Sequence, residues 1–230
     1  MSNQSREAIL HNIRKGLSGI SSPSPTITDD RDFSKEAQEI RENLDKIKND
    51  LTRQFISEVE NVNTTVINAD SADKLQQSIV NLVKEKGIKS FAIWETPYLK
   101  ELKLKERIKE EGLKVVTAKN KNRLANAGIG ITEVDYAIAD TGTLVLLKDK
   151  DRPRGASLLP PVHLAIVRPN NLVSNIRELF VILKNIINAT GDVKSCMTFI
   201  TGPSRTADIE LNLTLGVHGP KELFVLILNG

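Results

Sequence analysis

The sequence predicts an α/β fold with a mixed, mostly parallel sheet, preceded by N-terminal helices. Between residues 64 and 126, short apolar runs alternate with amphipathic helical segments, a pattern typical of parallel β-α-β units. After residue 128, two apolar runs are separated only by Asp140-Thr141-Gly142, which indicates a hairpin and hence an antiparallel pair. A chain of 230 residues that is 40% hydrophobic can bury an ample core around such a sheet.

Two helices are predicted before the first strand. The first covers residues 5–17, and the Ser-, Pro- and Asp-rich stretch near 18–32 predicts a flexible linker. From Ser34, a candidate N-cap, apolar residues recur every three or four positions as far as Val59. This apolar stripe is expected to cover the sheet of its own domain or, alternatively, to form a dimeric coiled coil. The sequence thus predicts a helical extension over 1–60 and an α/β domain over 61–230.

Strand-and-helix units follow in the first half of that domain. We predict strands over 64–67, 90–94 and 114–117, and helices over 71–86, 98–111 and 121–126. Ser71 is placed to cap the first of these helices, whereas Gly87 and Gly112 are placed to end the first two.

The second half of the domain is richer in strands. We predict two hairpin strands over 134–139 and 143–147, and then an extended segment over 156–161 that leads into a strand over 162–167. A helix over 175–188, capped by Ser174, follows. The last predicted elements are a buried strand over 195–200 and a strand over 223–228. Residues 206–217 alternate apolar with polar or small side chains, so extended structure is predicted there as well.

Composition excludes several classes of function. The net charge is only +3, and the few aromatic residues are not interleaved with a basic stripe, so nucleic-acid binding is not expected. Because no apolar run is long enough to cross a bilayer and the N-terminus lacks the apolar core of a signal peptide, we expect a cytoplasmic protein.

Cofactor chemistry within the chain is also disfavoured. Cys196 is the only cysteine, which excludes an intrachain disulfide or an iron–sulfur cluster held by this chain alone, and its apolar setting predicts a buried residue. His11, His163 and His218 do not follow a zinc-site spacing, so no metal is expected. Gly128-Ile129-Gly130 is too short a match to the fingerprint of dinucleotide-binding folds.

The segment from Thr201 to Thr206 concentrates groups that bind anions. Gly202 and Pro203 enforce a sharp turn after an apolar run. The backbone N–H groups that follow, the nearby hydroxyls and the Arg205 guanidinium are suited to a phosphate or a carboxylate. Asp208 and Glu210 are placed to orient Arg205. The alternative is a strand-ending turn whose polar groups satisfy only one another.

Other loops carry candidates because ligands of open α/β sheets bind beyond the carboxyl ends of the strands. The full set of candidate ligand-binding residues is Thr141, Gly142, Thr143, Arg154, His163, Gly202, Pro203, Ser204, Arg205 and Thr206. Candidates for proton exchange are Glu133, Asp208 and His218. Each residue taken singly has a purely structural alternative, as a turn residue or as a histidine with a polar partner inside a strand.

Three longer segments carry a family resemblance. GIGITEVDYAIADTGTLVLL (128–147), ASLLPPVHLAIV (156–167) and TGPSRTADIELNLTLGVHGP (201–220) together closely resemble the lactate utilization protein C family, the LUD domain. The resemblance implies a three-layer α/β/α sandwich similar to the NagB/RpiA/CoA transferase-like fold of sugar-phosphate isomerases, CoA transferases and 5-formyltetrahydrofolate cyclo-ligase. It also implies a role in bacterial growth on L-lactate, without a settled active site.

The resemblance further implies two iron–sulfur lactate-utilization proteins as partners, in a system that oxidises L-lactate to pyruvate. We therefore expect a subunit without a cofactor of its own that binds a small carboxylate or phosphorylated ligand. One alternative is a stand-alone enzyme acting on an acyl-CoA, nucleotide or sugar-phosphate substrate, with Glu133 or Asp140 as the carboxylate nucleophile. Another is a structural or regulatory adaptor that docks through the helix at 34–60, and a homodimer also stays open.

Overall fold

The computed structural model describes residues 3–18, 31–116, 124–149, 152–207, 213–216 and 218–229. Contacts divide the chain into two compact units, Met1–Asp32 and Phe33–Gly230. The first unit contains helix α1 (Asn3–Leu17), which confirms the helix predicted there, and Ile9 and Ile13 on it are exposed. The predicted linker lies mostly outside the described residues. The helical extension predicted over 1–60 is therefore spread over both units.

The second unit contains the remaining elements. Its helices are α2 (Phe33–Asn61), α3 (Ala72–Glu85), α4 (Pro97–Glu101), α5 (Leu104–Glu110), α6 (Gly155–Leu158) and α7 (Ile176–Thr190). Its strands are β1 (Thr65–Ala69), β2 (Ser90–Ile93), β3 (Lys114–Val115), β4 (Ile129–Glu133), β5 (Tyr136–Ile138), β6 (Thr143–Lys148), β7 (Val162–Val167), β8 (Leu172–Val173), β9 (Cys196–Ile200), β10 (Arg205–Ala207), β11 (Leu213–Leu215) and β12 (Glu222–Leu228). None of the helices in the described parts of the chain is long and apolar enough to span a bilayer.

Six strands form a parallel sheet in the order β1-β12-β7-β4-β2-β3. This confirms the predicted α/β fold with a mostly parallel sheet. Strand β4 lies next to β7 near the middle of the sheet, but the sequence did not predict it. Its apolar residues Ile129 and Ile131 alternate with Gly130 and Thr132, so the segment lacks the continuous apolar run of a typical central strand.

A second sheet has the order β8-β5-β6-β9, and β5 and β6 form the predicted antiparallel hairpin. The antiparallel pairs thus gather in a sheet of their own. Every residue of β6 is buried: Leu144 and Leu146 belong to the main core, whereas Val145 and Leu147 pack with α7. A strand covered on both faces in this way explains its apolar composition.

Strand β9 is an edge strand of that second sheet, since it pairs only with β6 among the described strands. The strand predicted over 195–200 is therefore confirmed as β9, but its predicted burial was wrong, since Met197 and Phe199 are 41% and 40% exposed. Cys196 is likewise partly exposed and not buried as predicted. An apolar sequence run does not distinguish an edge strand from a central one.

Helix α2 packs its apolar stripe within the second unit. Leu51, Phe55 and Val59 are almost completely buried and belong to the main core. The N-terminal turns of the helix pack against α7, where Phe33 and Ala37 form a small cluster with Val181. Of the two interpretations of this stripe, coverage of its own domain is the one that the structure shows.

Several helix ends agree with the sequence and others differ. The Ser71 hydroxyl accepts a hydrogen bond from the backbone N–H of Lys74, as predicted. Asn175, not Ser174, caps α7 through its side-chain oxygen. The single helix predicted over 98–111 is broken into α4 and α5 at Lys103, whose φ is 48°.

Three further predicted segments differ from the structure or lie partly outside the described residues. The stretch predicted as extended over 156–161 begins with the short helix α6, which ends at Leu158, two residues before the first of the two prolines. Residues 206–217 include strands β10 and β11, which pair antiparallel, while 208–212 and 217 lie outside the described residues. The first half of the helix predicted over 121–126, residues 121–123, lies outside them too.

Candidate functional site

A chain of threonine hydroxyls joins two of the predicted ligand-binding loops. The hydroxyl of Thr143 lies 2.8 Å from the hydroxyl of Thr141 and 2.8 Å from that of Thr201. The antiparallel pairing of β6 with β9 creates this contact, because it places the start of β6 beside the end of β9. Thr143 is buried, whereas Thr141 and Thr201 are exposed. The turn at 140–142 and the turn at 201–204 therefore meet, as a shared site requires.

Both turns also lie against the end of helix α2. A Cβ atom on Gly142 would be 2.6 Å from the backbone nitrogen of Val59, and one on Gly202 would be 2.7 Å from the carbonyl oxygen of Val62. The two glycines have positive φ angles of 60° and 87°. A side chain would be strained and would collide with α2 at either position, so these glycines have a structural reason to be present.

The Arg205 guanidinium is exposed, and its Nη2 donates a hydrogen bond of 2.8 Å to the carbonyl oxygen of Val62. It therefore satisfies a carbonyl just beyond the C-terminus of α2, where a cation is favourable. Asp208 and Glu210, which we predict to orient it, lie outside the described residues.

The backbone of Ser204 is already engaged. Its N–H donates to the carbonyl of Pro220, and its carbonyl accepts from the N–H of Gly216. This part of the turn is thus held by the segment at 216–220, in agreement with the structural alternative for the Ser204 N–H. His218 in that segment is exposed, and Pro203 is half-buried. Thr206 pairs with Thr214 between β10 and β11.

The carboxyl edge of the parallel sheet carries a second polar group. Glu133 ends β4 and accepts a hydrogen bond of 2.6 Å from Nη2 of Arg168, which follows β7. The Arg168 guanidinium also stacks 4.4 Å from the ring centroid of Tyr98. Burial raises the pKa of Tyr98, although the positive charge of Arg168 opposes the shift. As a candidate for proton exchange, Glu133 is therefore paired with a guanidinium.

A buried polar cluster lies on the same parallel sheet, where β6 and α6 pack against it. Lys148 occupies the position after Leu144 and Leu146 on the core-facing side of β6 and is only 3% exposed. Its Nζ donates a hydrogen bond of 3.3 Å to Oγ of Ser157 and lies 4.1 Å from the ring centroid of Trp94. Burial lowers the pKa of Lys148 to about 7.

His163 belongs to the same cluster. It is fully buried in β7, and its Nε2 lies 2.9 Å from the hydroxyl of Thr132 on the neighbouring strand β4. Burial lowers the pKa of His163 to about 3, and the charge of Lys148 adds to the effect. The imidazole is therefore neutral near pH 7. Its Nδ1 has no hydrogen-bond partner in the described part of the chain.

Helix α6 fixes the position of Ser157. The Ser157 hydroxyl donates a hydrogen bond of 3.0 Å to the carbonyl oxygen of Arg154 and is completely buried. Gly130 of β4 permits this packing, because a Cβ there would lie 1.8 Å from the carbonyl oxygen of Ala156. The residue Arg154 is exposed, and its backbone carbonyl is what contacts the cluster.

The carboxylates nearest to Lys148 are engaged elsewhere. Asp135 accepts a hydrogen bond of 2.7 Å from the N–H of Leu147 and another of 2.5 Å from the guanidinium of Arg152. Arg152 also forms an ion pair with Asp149. Among the residues that the structure describes, no carboxylate forms an ion pair with Lys148.

A pocket of about 320 Å³ reaches Trp94. It is lined by Ile93, Trp94, Glu95, Leu99, Lys100, Lys105 and Glu106. The indole thus belongs both to this pocket and to the buried cluster. No group of three or more His, Cys, Asp and Glu side chains within the described ranges is placed to hold a metal ion.

Sequence reasoning named His163 but missed Lys148, Ser157, Thr132 and Trp94. The available signal was the periodicity of β6, since Lys148 continues the alternation of Leu144 and Leu146 and therefore falls on the side facing the core. A lysine at the end of an apolar strand is usually solvated, so the pattern alone did not suggest a buried amine.

Comparisons with known proteins give a consistent assignment. The LUD domain profile matches residues 52–228. Lactate utilization protein C of Halalkalibacterium halodurans is 32% identical over 228 residues, with 94% of each chain covered. The uncharacterized protein YkgG of Escherichia coli is 33% identical, over 76% of this chain and 78% of its own.

A solved structure agrees in fold. The crystal structure of a DUF162 family protein from Deinococcus radiodurans superposes with a TM-score of 0.57 at 21% identity, covering 79% of this chain and 98% of the other. At this identity the likeness concerns the fold alone. The α/β architecture, the profile match over most of the second unit and the full-length relative agree that the chain belongs to the LUD domain family, in the lactate utilization protein C group.

Proposed function

We propose that this protein is a component of a bacterial system that oxidises L-lactate to pyruvate, and that it binds a small carboxylate or phosphorylated ligand. The observation that carries the proposal is the similarity to lactate utilization protein C along 94% of both chains. A match over this length includes the second unit and both groups of site residues. The names of the relatives assign lactate utilization and leave the chemical step open.

The division of labour within that system is taken from the family resemblance, which implies that two iron–sulfur partner proteins carry the redox chemistry. The single cysteine of this chain, which cannot hold an iron–sulfur cluster alone, fits that division. This chain then contributes ligand binding, as a subunit without a cofactor of its own. The partners enter this proposal from the family resemblance.

Anion binding is supported at the meeting point of the two turns. Thr141 and Thr201 present exposed hydroxyls on either side of the buried Thr143 hydroxyl. Arg205 uses one guanidinium nitrogen for the carbonyl of Val62, and its remaining donors are exposed. Hydroxyls beside a guanidinium are the groups with which proteins bind carboxylates and phosphates.

The test is a reconstitution with the iron–sulfur partner proteins. We expect L-lactate-dependent reduction of an electron acceptor to require this chain and to be absent when it is omitted. Undiminished activity of the partners alone would overturn the proposal. Turnover of an acyl-CoA, nucleotide or sugar phosphate by this chain alone would instead favour a stand-alone enzyme.

Variants of Arg205 test the ligand site at the turns. Arg205→Lys keeps the charge but loses the planar fork, and Arg205→Ala loses both, so activity is expected to fall in that order. Lys184→Ala removes an exposed cation from α7 and serves as the control. Full activity of Arg205→Ala would exclude this part of the site.

A further inference from the structure

The ammonium group of Lys148 lies in a setting that suits a bound anion. It is buried, it contacts a hydroxyl and the face of an indole, and it has no carboxylate partner in the described part of the chain. Burial of a cation is unfavourable unless an anion or several hydrogen-bond acceptors compensate for the lost water. The cluster provides one hydroxyl, which itself donates to the carbonyl of Arg154.

His163 gives an independent indication of a ligand. Its Nδ1 is completely buried without a partner among the described residues, although buried polar atoms in folded proteins are nearly always hydrogen-bonded. In the tautomer with hydrogen on Nδ1, the Thr132 hydroxyl donates to Nε2, and Nδ1–H remains as a donor. Gly130, the register partner of His163 on β4, lies against the carbonyl of Ala156, next to the Ser157 that contacts Lys148, which places His163 in the same cluster.

We propose that Lys148, positioned by Ser157, and His163 bind the carboxylate of a small monocarboxylic acid of the 2-hydroxy or 2-oxo class. This inference rests on the proposed function and assigns its ligand to the buried cluster, which lies at the opposite end of β6 from the threonine-lined turns. Lys148 supplies the opposite charge and the imidazole Nδ1–H supplies a neutral hydrogen bond, while Ser157, whose hydroxyl already donates to the carbonyl of Arg154, accepts from the ammonium and holds it in place. The indole of Trp94 supplies an apolar face for the carbon atoms of the acid.

The charge of the cluster selects a monoanion. Lys148 is its single cation, and Arg152 nearby is already paired with Asp135 and Asp149. A monocarboxylate brings one negative charge and is neutralised, whereas a phosphate ester near pH 7 brings close to two. A buried excess negative charge is strongly unfavourable. Of the two ligand classes in the proposed function, the cluster therefore favours the carboxylate.

The pocket at Trp94 adjoins the cluster, because Lys148 contacts the ring of the same residue. Its volume of about 320 Å³ exceeds that of a three-carbon acid, and its wall includes the same indole that Lys148 covers. Two lysines and two glutamates line it, so their charges balance. Selection for a single negative charge thus falls to Lys148.

Trp94 makes the inference testable, because it is the only tryptophan of the chain. The full-length protein would be titrated with L-lactate, pyruvate and inorganic phosphate while its fluorescence is recorded. We expect a saturable change with at least one of the two acids and none with phosphate at the same concentration. Isothermal titration calorimetry would give the affinities independently of the fluorophore.

Lys148→Met keeps the length and apolar stem of the side chain, removes its charge and is expected to fold. Affinity for the acid should fall at least tenfold, because an unpaired carboxylate would then be buried. Lys184→Met on the exposed face of α7 is the matched control and should bind as the wild type does. Circular dichroism would verify that each variant is folded.

Proton uptake provides a second measurement. A carboxylate beside Lys148 favours the ammonium form of its side chain, so the protein should take up a proton when the acid binds at pH 8. Calorimetry in buffers of different ionisation enthalpy would detect this uptake, because the measured binding heat would then depend on the buffer. Lys148→Met should show no such uptake.

Three outcomes would overturn the inference. They are equal affinity of Lys148→Met and the wild type, tighter binding of phosphate than of either acid, and no binding of either acid. The reconstituted oxidation decides the proposed function separately. If the chain is required there while Lys148→Met is fully active, the function stands and the ligand binds elsewhere.

Discussion

At the scale of single residues, the burial of His163 couples folding to pH. The pKa of the imidazole is lowered to about 3 in the folded protein by burial and by the charge of Lys148. In the unfolded chain it is about 6.5. Between these values the unfolded chain binds one more proton than the folded chain, so stability rises with pH and is lost as the pH falls below about 6.5.

We expect the free energy of unfolding of the wild type to fall by about 2 kcal/mol more than that of His163→Gln between about pH 6.5 and pH 4.5. Glutamine does not titrate, and its amide oxygen retains an acceptor for the Thr132 hydroxyl. Urea titrations at several pH values would measure the difference. His218→Gln, at an exposed histidine, should keep the slope of the wild type. Identical slopes for all three proteins would show that His163 is protonated without unfolding.

Gly142 illustrates a residue needed for the backbone. Gly142→Ala places a Cβ 2.6 Å from the nitrogen of Val59 and is also strained by the positive φ. Gly191→Ala has a similar φ of 68° but meets no atom within 4 Å. We expect a loss of about 1 kcal/mol for Gly191→Ala and at least about twice that for Gly142→Ala, measured by urea unfolding. Equal losses would indicate that α2 moves away freely.

Gly142 can also affect activity without taking part in the chemistry. Gly142 adjoins the threonine hydroxyls of the proposed ligand site, so Gly142→Ala should impair lactate oxidation in proportion to its loss of stability. Such a result would not identify a catalytic residue, because the glycine acts through the packing of its turn on α2.

At the scale of elements, α7 separates a buried face from an exposed one. Leu179 is completely buried against the second sheet, whereas its neighbour Phe180 is 47% exposed. Leu179→Ala should cost about 2 to 5 kcal/mol of stability. Phe180→Ala should cost less than about 1 kcal/mol, because little of its contact area is lost. Chemical denaturation of both variants would check this, and comparable losses would mean that the side chain of Phe180 is covered in solution.

The elements also show what the sequence can and cannot predict. Helix α3 was predictable at both ends, because Ser71 and Gly87 act locally on the backbone. Strand β4 was not predictable from the sequence. Its glycine, Gly130, is needed because the carbonyl of Ala156 packs closely against it, and this contact forms only in the folded chain. The exposure of β9 likewise depends on which strands neighbour it.

In the candidate site too, some features could be predicted from the sequence and others depend on the fold. The meeting of Thr143 with Thr201 follows from the pairing of β6 with β9, whose register the sequence does not state. Lys148 is buried because α6 and Trp94 cover the end of β6, and these three segments are separate in sequence. Sequence motifs identified the loops and His163, and the packing of separate segments determined which polar groups are buried together.

At the scale of the whole molecule, both sheets of the second unit share one core. Leu144 and Leu146 of the second sheet pack in the same cluster as Ile131 and Leu164 of the parallel sheet. Phe55 of α2 joins that cluster as well. The second unit therefore contains a complete core without any residue of the first unit.

From this we expect a protein lacking residues 1–32 to unfold at the same urea concentration, and with the same cooperativity, as the full chain. Phe55→Ala should lower the stability of both lengths by about 3 to 5 kcal/mol, since this side chain is completely buried in the shared core. The equal effect in the two lengths is the control for the deletion. A lower midpoint of the shortened protein would contradict the independence of the second unit, because it would mean that residues 1–32 contribute to its stability.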